Sequence, residues 1–549
     1  MARLERERDR WRFGSLARLG WRGAAWGLIA ATLALVLLTF RDYGVTWDED
    51  VHNWYGVLVL DYYLSGFKDG RALHWQDLFH YGAAFDLTAA VLNRISPLGT
   101  YETRHLLNGM VGVAGLIGAW KLGRTLGTRR AGFLSVLLLA TIPNWYGQMF
   151  NNPKDIPFAV GIVWGLYYLC RIVPDLPRPP PWTVVKLGAA IGLALGVRVG
   201  GLLLVAYLGL ALAAFCLWRM IQLRSVRAGI GAGVAGTWRV VLPALAVAYP
   251  VMLLFWPWAQ LDPIHNPFEA LAAFSHDIFP FPTLFAGAYV PASDLPWEYL
   301  PTFVVLALPE LTLILAVAAL PGAVIREWRQ PSGSRAIQAL LLGTAILFPI
   351  AYAIWIKAVL FDGMRHFIFV LPPIAVAAAL MLDRMIEGLR DARARVAAIG
   401  LGAAYAAGHL GIMVALHPDE YVYYNGLVGG VDGAQNLFKT DYWANSYAEA
   451  VAGLTDYLRT EYGAEFEDHQ FTVAVCGPPI SADYFFPDNF VFSRDREHAD
   501  FFIAFTKDAC NKALPGKEVY RVERMGALLS IVLDRRPPDP PLATAAVPR

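Results

Sequence analysis

Charged residues are scarce in this sequence. Only 17% of its 549 residues are Asp, Glu, Lys or Arg, whereas 56% are hydrophobic. A soluble protein of this length carries more charge, so the composition indicates a polytopic membrane protein. The net charge of +1 gives no bulk electrostatic attraction for nucleic acid. The sequence also lacks a Walker loop, a Rossmann glycine fingerprint, Cys/His metal-ligand spacing and a recognisable internal repeat.

Cysteine is rare as well, with four residues in the whole chain. Cys170 and Cys216 lie in apolar runs and are interpreted as small buried hydrophobic residues. Cys476 and Cys510 lie in the polar C-terminal part. A disulfide between them is permitted if that part is extracytoplasmic, but the spacing alone does not establish the pairing.

Long apolar runs dominate what is present, and about eleven of them are long enough to predict membrane-spanning helices. The region 183–217 could be one kinked hairpin or two short helices. No small-residue cleavage site follows the first run, so we expect an uncleaved first transmembrane helix. The predicted spans are 24–40, 105–122, 131–147, 156–172, 183–197, 199–217, 239–257, 301–324, 337–356, 366–382 and 396–416.

Basic residues follow the alternation that the positive-inside rule predicts. The segment 1–23 is rich in arginine and is predicted to be a cytoplasmic N-terminus. Alternate loops carry several Lys and Arg, whereas the loop from 259 to 299 has none. With an odd number of spans, the C-terminal part falls outside. We expect a bacterial inner-membrane protein with a periplasmic C-terminal domain.

Four parts of the chain follow from these patterns. Residues 1–23 form the basic N-terminus, and 24–416 form a helical transmembrane domain whose first outer loop, 41–104, carries short surface helices. Residues 417–536 predict a small extracytoplasmic α/β domain, with a helix near 443–460 and strands near 471–476, 500–505, 518–524 and 526–534. Residues 537–549 are rich in Pro and Ala and predict a disordered tail.

The first outer loop contains the candidate catalytic group, Asp48. Thr46 and Glu49 have the spacing of a capping box, so Glu49 is predicted to close the start of a surface helix. Asp48 then faces a different direction from Glu49 and is free to act. His52, four residues on, shares the face of Asp48 and could orient it. Asp155 is a second acidic candidate, which could cap the following helix, face the site, or do both.

Several cations lie at predicted outer membrane ends, where a charge is costly and needs a partner or a function. Lys154 and Arg365 are candidates for binding a phosphate, and His366 adjoins Arg365. Arg198 lies among glycines and could equally form a buried structural pair. Arg365 could alternatively extend to the membrane surface without further function.

Four short motifs occur in a fixed order and on one membrane side. Their order resembles the bacterial branch of the GT-C membrane glycosyltransferases, a family 39-like group of aminoarabinose and lipopolysaccharide-core sugar transferases related to protein O-mannosyltransferases. The resemblance covers roughly residues 20–380. The motifs are Trp-Asp-Glu at 47–49, Pro-Leu-Gly-Thr-Tyr-Glu-Thr-Arg at 97–104, Lys-Asp-Ile-Pro-Phe at 154–158 and Arg-His-Phe-Ile-Phe-Val-Leu-Pro-Pro at 365–373.

The resemblance implies a GT-C-like fold and an inverting transfer of a sugar from a polyprenyl-phosphate donor to an acceptor hydroxyl at the outer membrane face. It implies that Asp48 is the general base and that Asp155 supports it. A lipid phosphate leaves as a stable anion, so cations serve it better than a general acid. The partners implied are the lipid-linked sugar, a hydroxyl acceptor in the cell envelope and the bilayer.

The sequence departs from the family in one place and leaves several questions open. Relatives carry a Lys-Pro-Pro-like element late in the first loop, where this chain has Asp-Leu-Phe-His-Tyr-Gly at 77–82. His80 could replace the lysine as a phosphate partner, or it could be structural. Metal dependence stays open, because two or three carboxylates could hold one divalent ion. The sugar and the acceptor (lipid, glycan or protein) are not identified. A lipid or sugar transporter or flippase is the alternative function.

Overall fold

The structure, a computed structural model, describes residues 2–275, 282–329 and 332–537, without the side chains of 2–19, 274–275 and 326–329. It is predominantly helical up to residue 416 and ends in a small sheet domain, as the composition and the periodicity predict. The polytopic helical fold class with a C-terminal α/β domain is therefore confirmed. The predicted tail lies, from residue 538, outside the described residues.

The helices of the first part have a wide range of lengths, because several predicted spans are interrupted by proline or by a polar turn. In chain order they are Ala2–Thr39, Trp47–Leu64, Ala84–Asn93, Thr100–Leu126, Arg129–Ala140, Pro143–Asn151, Asp155–Ile172, Pro181–Leu195, Leu202–Leu223, Val226–Gly236, Leu242–Phe255, Pro257–Leu261, His265–Ser275, Tyr299–Leu306, Glu310–Arg329, Gly333–Trp355, Leu371–Gly388 and Ala392–Leu416.

Eight helices in the described part of the chain are long and apolar enough to cross a membrane, or nine if one bent pair counts as a single span. The bent pair joins Tyr299–Leu306 to the helix that begins at Glu310, at an angle of 118°. The predicted span 131–147 is two helices that meet at Pro143, which suits the first position of a helix. The predicted span 183–197 is a shorter apolar helix. The count of about eleven full spans is therefore too high, although the chain is a multi-pass membrane protein.

The break at 196–201 is important for the site. It separates Pro181–Leu195 from Leu202–Leu223, so the region that the sequence left open is two helices. Gly82 of the first outer loop lies against this break, and a Cβ at that position would be 2.1 Å from the Gly196 carbonyl oxygen. The Ala84 amide donates to the same carbonyl oxygen at 2.9 Å. The contact brings the late first loop beside Arg198.

The C-terminal domain is a five-stranded mixed sheet packed against the helix Tyr447–Tyr462. Its spatial order is Phe490–Phe492, Phe471–Val475, Phe501–Phe505, Ala527–Asp534 and Lys517–Arg524. The first three strands are parallel and the last two pair antiparallel. The strand Phe490–Phe492 was not predicted, because three residues are too few to show an alternation.

The helix of this domain begins at Tyr447, later than predicted. The Asp441 carboxylate accepts hydrogen bonds from the Trp443 and Ser446 amides, which holds the preceding residues in a polar turn instead of a helical one. Cys476 and Cys510 are joined by a disulfide. The pairing that the spacing left open is therefore present.

The sheet domain is closely attached to the membrane part. The Asn445 side-chain oxygen accepts from the Gly44 amide at 2.9 Å and from the Asn151 side chain at 3.0 Å. A Cβ on residue 44 would lie 2.2 Å from the Asn445 carbonyl oxygen, so this approach requires glycine. The stretches 419–425 and 438–447 are buried. They form the packing seam between the two parts.

Candidate active site

Asp48 lies in the first turn of the helix Trp47–Leu64 and pairs with Arg365. The Arg365 Nη1 atom donates to Asp48 Oδ2 at 2.9 Å. Arg365 is almost fully buried, with 5% of its side chain exposed, whereas 24% of the Asp48 side chain is exposed. The carboxylate is therefore partly accessible, whereas its cationic partner is buried behind it.

The Asp48 carboxylate is surrounded by positive charge. Burial raises its pKa, but Arg365, Lys154, His52 and Lys507 together outweigh the burial and lower the pKa to about 2. Three of these cations come from distant parts of the sequence. Asp48 is therefore fully ionised at neutral pH, as the helix N-terminus also favours.

Glu49 has a structural role. The predicted capping box is present, and the Thr46 amide donates to the Glu49 carboxylate at 2.9 Å. The other Glu49 oxygen lies 3.0 Å from His105 Nε2, and both side chains are at most 2% exposed. The carboxylate is therefore fully used in fixing the start of the helix to the next membrane helix.

His52 does not orient Asp48 through a hydrogen bond, as the helical spacing had suggested. Its Nδ1 atom lies 2.7 Å from an Asp86 oxygen, and Arg104 Nη2 donates to the other Asp86 oxygen at 2.7 Å. Asp86 lies in the short apolar helix Ala84–Asn93, and its carboxylate competes successfully for the imidazole. His52 thus belongs to the Asp86–Arg104 network and makes no hydrogen bond to Asp48 among the described residues.

Asp155 faces the site and does not cap its own helix. The Asn152 side-chain oxygen accepts from the Asp155 amide at 2.9 Å and so takes the capping role. Asp155 Oδ1 lies 2.6 Å from Arg198 Nη2, and its Oδ2 accepts from the Asn152 side-chain amide at 3.1 Å. The capping interpretation of Asp155 is wrong, and the buried pair that the sequence left open for Arg198 is present.

Lys154 and Arg198 converge on the ring of Tyr81. Their charged groups lie 4.5 Å and 5.6 Å from its centroid, distances typical of cation–π contacts. Tyr81 was not singled out from the sequence, although it follows His80 directly. His80 packs against Phe79 and Trp258, with ring centroids 4.1 Å and 5.0 Å away. Its role as a phosphate partner stays a prediction.

Arg365 is held between two aromatic rings. Its guanidinium carbon lies 4.9 Å from the Phe361 centroid and 5.4 Å from that of Trp443, a residue of the C-terminal domain. His366 packs edge-on against Phe361 at 4.8 Å, and the charges of Arg365, Arg198 and Lys154 all act on it. The predicted cations therefore form one cluster, although they are far apart in the sequence.

Two cavities adjoin this cluster. An apolar groove of about 430 Å³ runs between the helices along Val160, Trp164 and Leu193, and its upper end reaches Pro157 and Val197 beside the Asp155–Arg198 pair. A cleft of about 460 Å³ opens on the other side, between Asp48 and the segment 478–483 of the C-terminal domain. The ionised carboxylate and the cations thus lie between an apolar groove of the membrane part and a cleft against the C-terminal domain.

The carboxylates of the site do not form a metal centre. Within the described ranges, no group of three or more His, Cys, Asp or Glu side chains is arranged to hold a metal ion. Asp48 and Asp155 are each directed at an arginine, and Glu49 is directed at His105. The residues present therefore do not fit a resident divalent ion.

A protein-family model matches part of the membrane domain. Residues 105–253 match the dolichyl-phosphate-mannose-protein mannosyltransferase family model. This match confirms the predicted resemblance for that part of the chain, which includes Lys154, Asp155 and Arg198. A comparison with curated proteins found no match.

Several solved structures are similar at low identity. ArnT from Cupriavidus metallidurans bound to undecaprenyl phosphate is 14% identical, with a TM-score of 0.48 over 97% of this chain and 100% of that one. The Archaeoglobus fulgidus oligosaccharyltransferase AglB is 13% identical, with a TM-score of 0.46 over 82% and 62%. Mycobacterial arabinofuranosyltransferase AftD is 14% identical, with a TM-score of 0.44 over 92% and 39%.

Proposed function

We propose that this protein is an inverting membrane glycosyltransferase that moves a sugar from a polyprenyl-phosphate donor to an acceptor hydroxyl. The observation that carries the proposal is the ionised Asp48 carboxylate, exposed to the cleft and backed by the buried Arg365. The family model that matches residues 105–253 describes enzymes that use a lipid-phosphate sugar, which supports the donor class.

Asp48 is the proposed general base. The acceptor hydroxyl enters from the cleft and attacks the anomeric carbon, while its proton passes to the Asp48 carboxylate. The bond between that carbon and the phosphate oxygen breaks, and the electron pair leaves with the lipid phosphate. A single displacement of this kind inverts the anomeric configuration, and one carboxylate suffices where a hydrolytic glycosidase needs two.

The cations are proposed to bind the donor phosphate. Lys154 and Arg198 meet over Tyr81, and Arg365 faces Asp48. His366 adjoins Arg365 and is proposed to contact the phosphate as an uncharged ring. Fixed positive charge stabilises the phosphate most when it leaves as an anion, which is when the reaction needs it. Asp155 supports the arrangement by holding Arg198 at 2.6 Å.

The apolar groove is proposed to hold the start of the polyprenyl chain. Most of its lining residues, among them Val160, Trp164 and Leu193, are aliphatic or aromatic, and Thr88 and Lys186 are polar. Its upper end adjoins the Asp155–Arg198 pair, so a lipid in the groove would present its phosphate to the cations. Polar groups at one end of an apolar site fix the orientation of a ligand in this way.

The location is proposed to be the bacterial inner membrane, with the N-terminus cytoplasmic and the C-terminal domain periplasmic. The distribution of Lys and Arg between loops supports this orientation, which requires an odd number of spans, as in the count of nine that takes the bent pair as one span. The disulfide between Cys476 and Cys510 also favours an oxidising compartment for the C-terminal domain.

The proposal is tested by mass spectrometry of lipid extracts and envelope glycans from a deletion strain. We expect a polyprenyl-phosphate sugar to accumulate and one envelope sugar to disappear, with both effects reversed by the wild-type gene but not by Asp48→Asn. A flippase would behave differently, because its loss changes the side of the membrane on which the lipid-linked sugar is found. Normal envelope sugars in the deletion strain would contradict the proposal.

A further inference from the structure

We propose that the C-terminal domain contributes to the active site. Its Lys439 and Lys507 neutralise the charge of Asp362, so that Arg365 remains available to Asp48 and to the donor phosphate. The two lysines are positioning residues, since they act through Asp362 and Arg365. The inference rests on the proposed function. It assigns a part in that function to the C-terminal domain.

Asp362 is a buried carboxylate with two charge partners from the other domain. Its side chain is 0% exposed. Lys439 Nζ lies 3.6 Å from one of its oxygens and Lys507 Nζ lies 3.7 Å from the other. Neither carboxylate oxygen has a hydrogen-bond partner among the described residues. The two ammonium groups are therefore the compensation that a buried carboxylate requires.

Asp362 is also a competitor for Arg365. The two residues are three apart, and the positive φ angles of Asp362 (54°) and Gly363 (73°) turn the chain between them sharply. Arg365 donates from Nη1 to Asp48 at 2.9 Å, whereas its buried Nε atom has no hydrogen-bond partner among the described residues, so the guanidinium keeps a donor for a second carboxylate. An arginine between two carboxylates pairs with the one whose charge is less compensated. The lysines compensate Asp362, and Arg365 accordingly pairs with Asp48.

Lys507 also links the domain to the catalytic helix. Its Nζ atom lies 4.0 Å from the centroid of the Trp47 ring, next to Asp48 in the sequence, and donates to the Tyr442 carbonyl oxygen at 3.4 Å. Only 4% of its side chain is exposed. Lysine side chains are rarely buried this deeply unless their charge is paired, so the burial of Lys507 indicates a specific partner. The position of Lys507 allows its charge to act on both Asp362 and Asp48.

Lys439 is fixed in a similar way. Besides Asp362, its Nζ atom lies 3.5 Å from Asp508 and donates to the Pro282 carbonyl oxygen at 3.3 Å. Asp508 belongs to the same segment as Lys507, Lys507–Lys512. The two lysines therefore form one network that crosses the packing seam and ends at the carboxylate beside Arg365.

The test is a suppression experiment on the full-length protein in membranes. Lys439→Gln with Lys507→Gln leaves Asp362 uncompensated, so we expect Arg365 to turn toward it and sugar transfer to fall at least about tenfold, mainly in kcat. Adding Asp362→Asn removes the competing charge. We expect the triple variant to recover to the level of Asp362→Asn alone. Lys512→Gln, an exposed lysine of the same segment, is the control and is expected to have wild-type activity.

A second measurement separates this mechanism from loss of folding. Binding of undecaprenyl phosphate to each purified variant reports the availability of Arg365 without any turnover. We expect weaker binding in the double lysine variant and restored binding in the triple variant. A triple variant no better than the double variant in both measurements would overturn the inference. Failure of the proposed function is a separate result, namely sugar transfer that persists in Asp48→Asn.

Discussion

Replacing Asp48 by Asn separates the two roles that the site assigns to its carboxylate. The substitution keeps the shape of the side chain and removes its charge. As a base, Asp48 takes the proton of the acceptor hydroxyl, and a positioned base typically contributes about 10²–10⁴-fold in rate. We therefore expect the kcat of Asp48→Asn to fall by at least about 10²-fold. As an ion-pair partner, Asp48 also restrains Arg365, and the substitution releases it.

The size of the second effect follows from the pKa of Asp48. Lowering that pKa from 3.8 to about 2 corresponds to roughly 2.5 kcal/mol in favour of the ionised carboxylate. Because the folded-state pKa lies below the ordinary value, this stabilisation is present above about pH 4 and is lost as the pH falls through about 2. Asp48 holds Arg365 through part of this energy, so releasing Arg365 is expected to tighten binding of a lipid phosphate on the order of tenfold.

The assay combines radiolabelled sugar transfer in membranes with direct binding of undecaprenyl phosphate to the purified protein. Asp48→Asn is expected to lose turnover and to bind the lipid phosphate at least as tightly as the wild type. Asp61→Asn is the control, because Asp61 lies on the same helix and pairs with the exposed Arg71 and Arg94. Near-normal turnover in Asp48→Asn would refute the base, and weaker lipid binding would refute the competition for Arg365.

Three further predictions concern the surroundings of the site. Arg198→Ala is expected to weaken undecaprenyl phosphate binding by about tenfold or more, since it removes a cation and leaves Asp155 unpaired; unchanged affinity at normal stability would exclude Arg198 from the phosphate site. Reducing the Cys476–Cys510 disulfide, which spans 34 residues, is expected to destabilise the C-terminal domain by roughly 3–4 kcal/mol. The loss is measured as a lower melting temperature, and the double Cys→Ser variant should show the same decrease without reductant. Burial lowers the pKa of His417, but Glu420 and Asp42 outweigh it and raise the pKa to about 9. The protonated His417 therefore stabilises the folded protein fully below about pH 6.5, and this stabilisation is lost as the pH rises through 9. Melting temperatures measured from pH 7 to 10 should fall in the wild type and change less in His417→Gln.

The sequence identified the charged residues of the site better than it identified their partners. Asp48 and Arg365 could both be identified as candidates, because each is a charged residue at a predicted membrane end, where an unpaired charge is costly. Their pairing joins positions 317 residues apart, and no local pattern reports such a contact. His52 shows the same limit: helical spacing offered Asp48 as its partner, but Asp86 from another helix lies at 2.7 Å.

The fold was predictable where hydrophobic periodicity is long and continuous. The spans of 100–126 and 392–416 follow directly from their composition. The interrupted spans were less predictable. The break at Pro143 was missed, because it lies inside one continuous apolar run. The region 183–217 was left open between a kinked hairpin and two short helices, and its break at 196–201 is where Arg198 reaches the site.

A pKa of about 2 would by itself make Asp48 a poor base, since a weakly basic carboxylate takes a proton reluctantly. The same cations that lower the pKa are the ones proposed to bind the donor phosphate. When Arg365 turns to the phosphate, Asp48 loses its nearest positive partner, whereas the cost of burial, which is the largest influence on its pKa, remains. The pKa of Asp48 then rises, and the carboxylate becomes a better base only when a donor is present. The ion pair between Asp48 and Arg365 is therefore compatible with catalysis, because the donor phosphate competes with Asp48 for the same arginine.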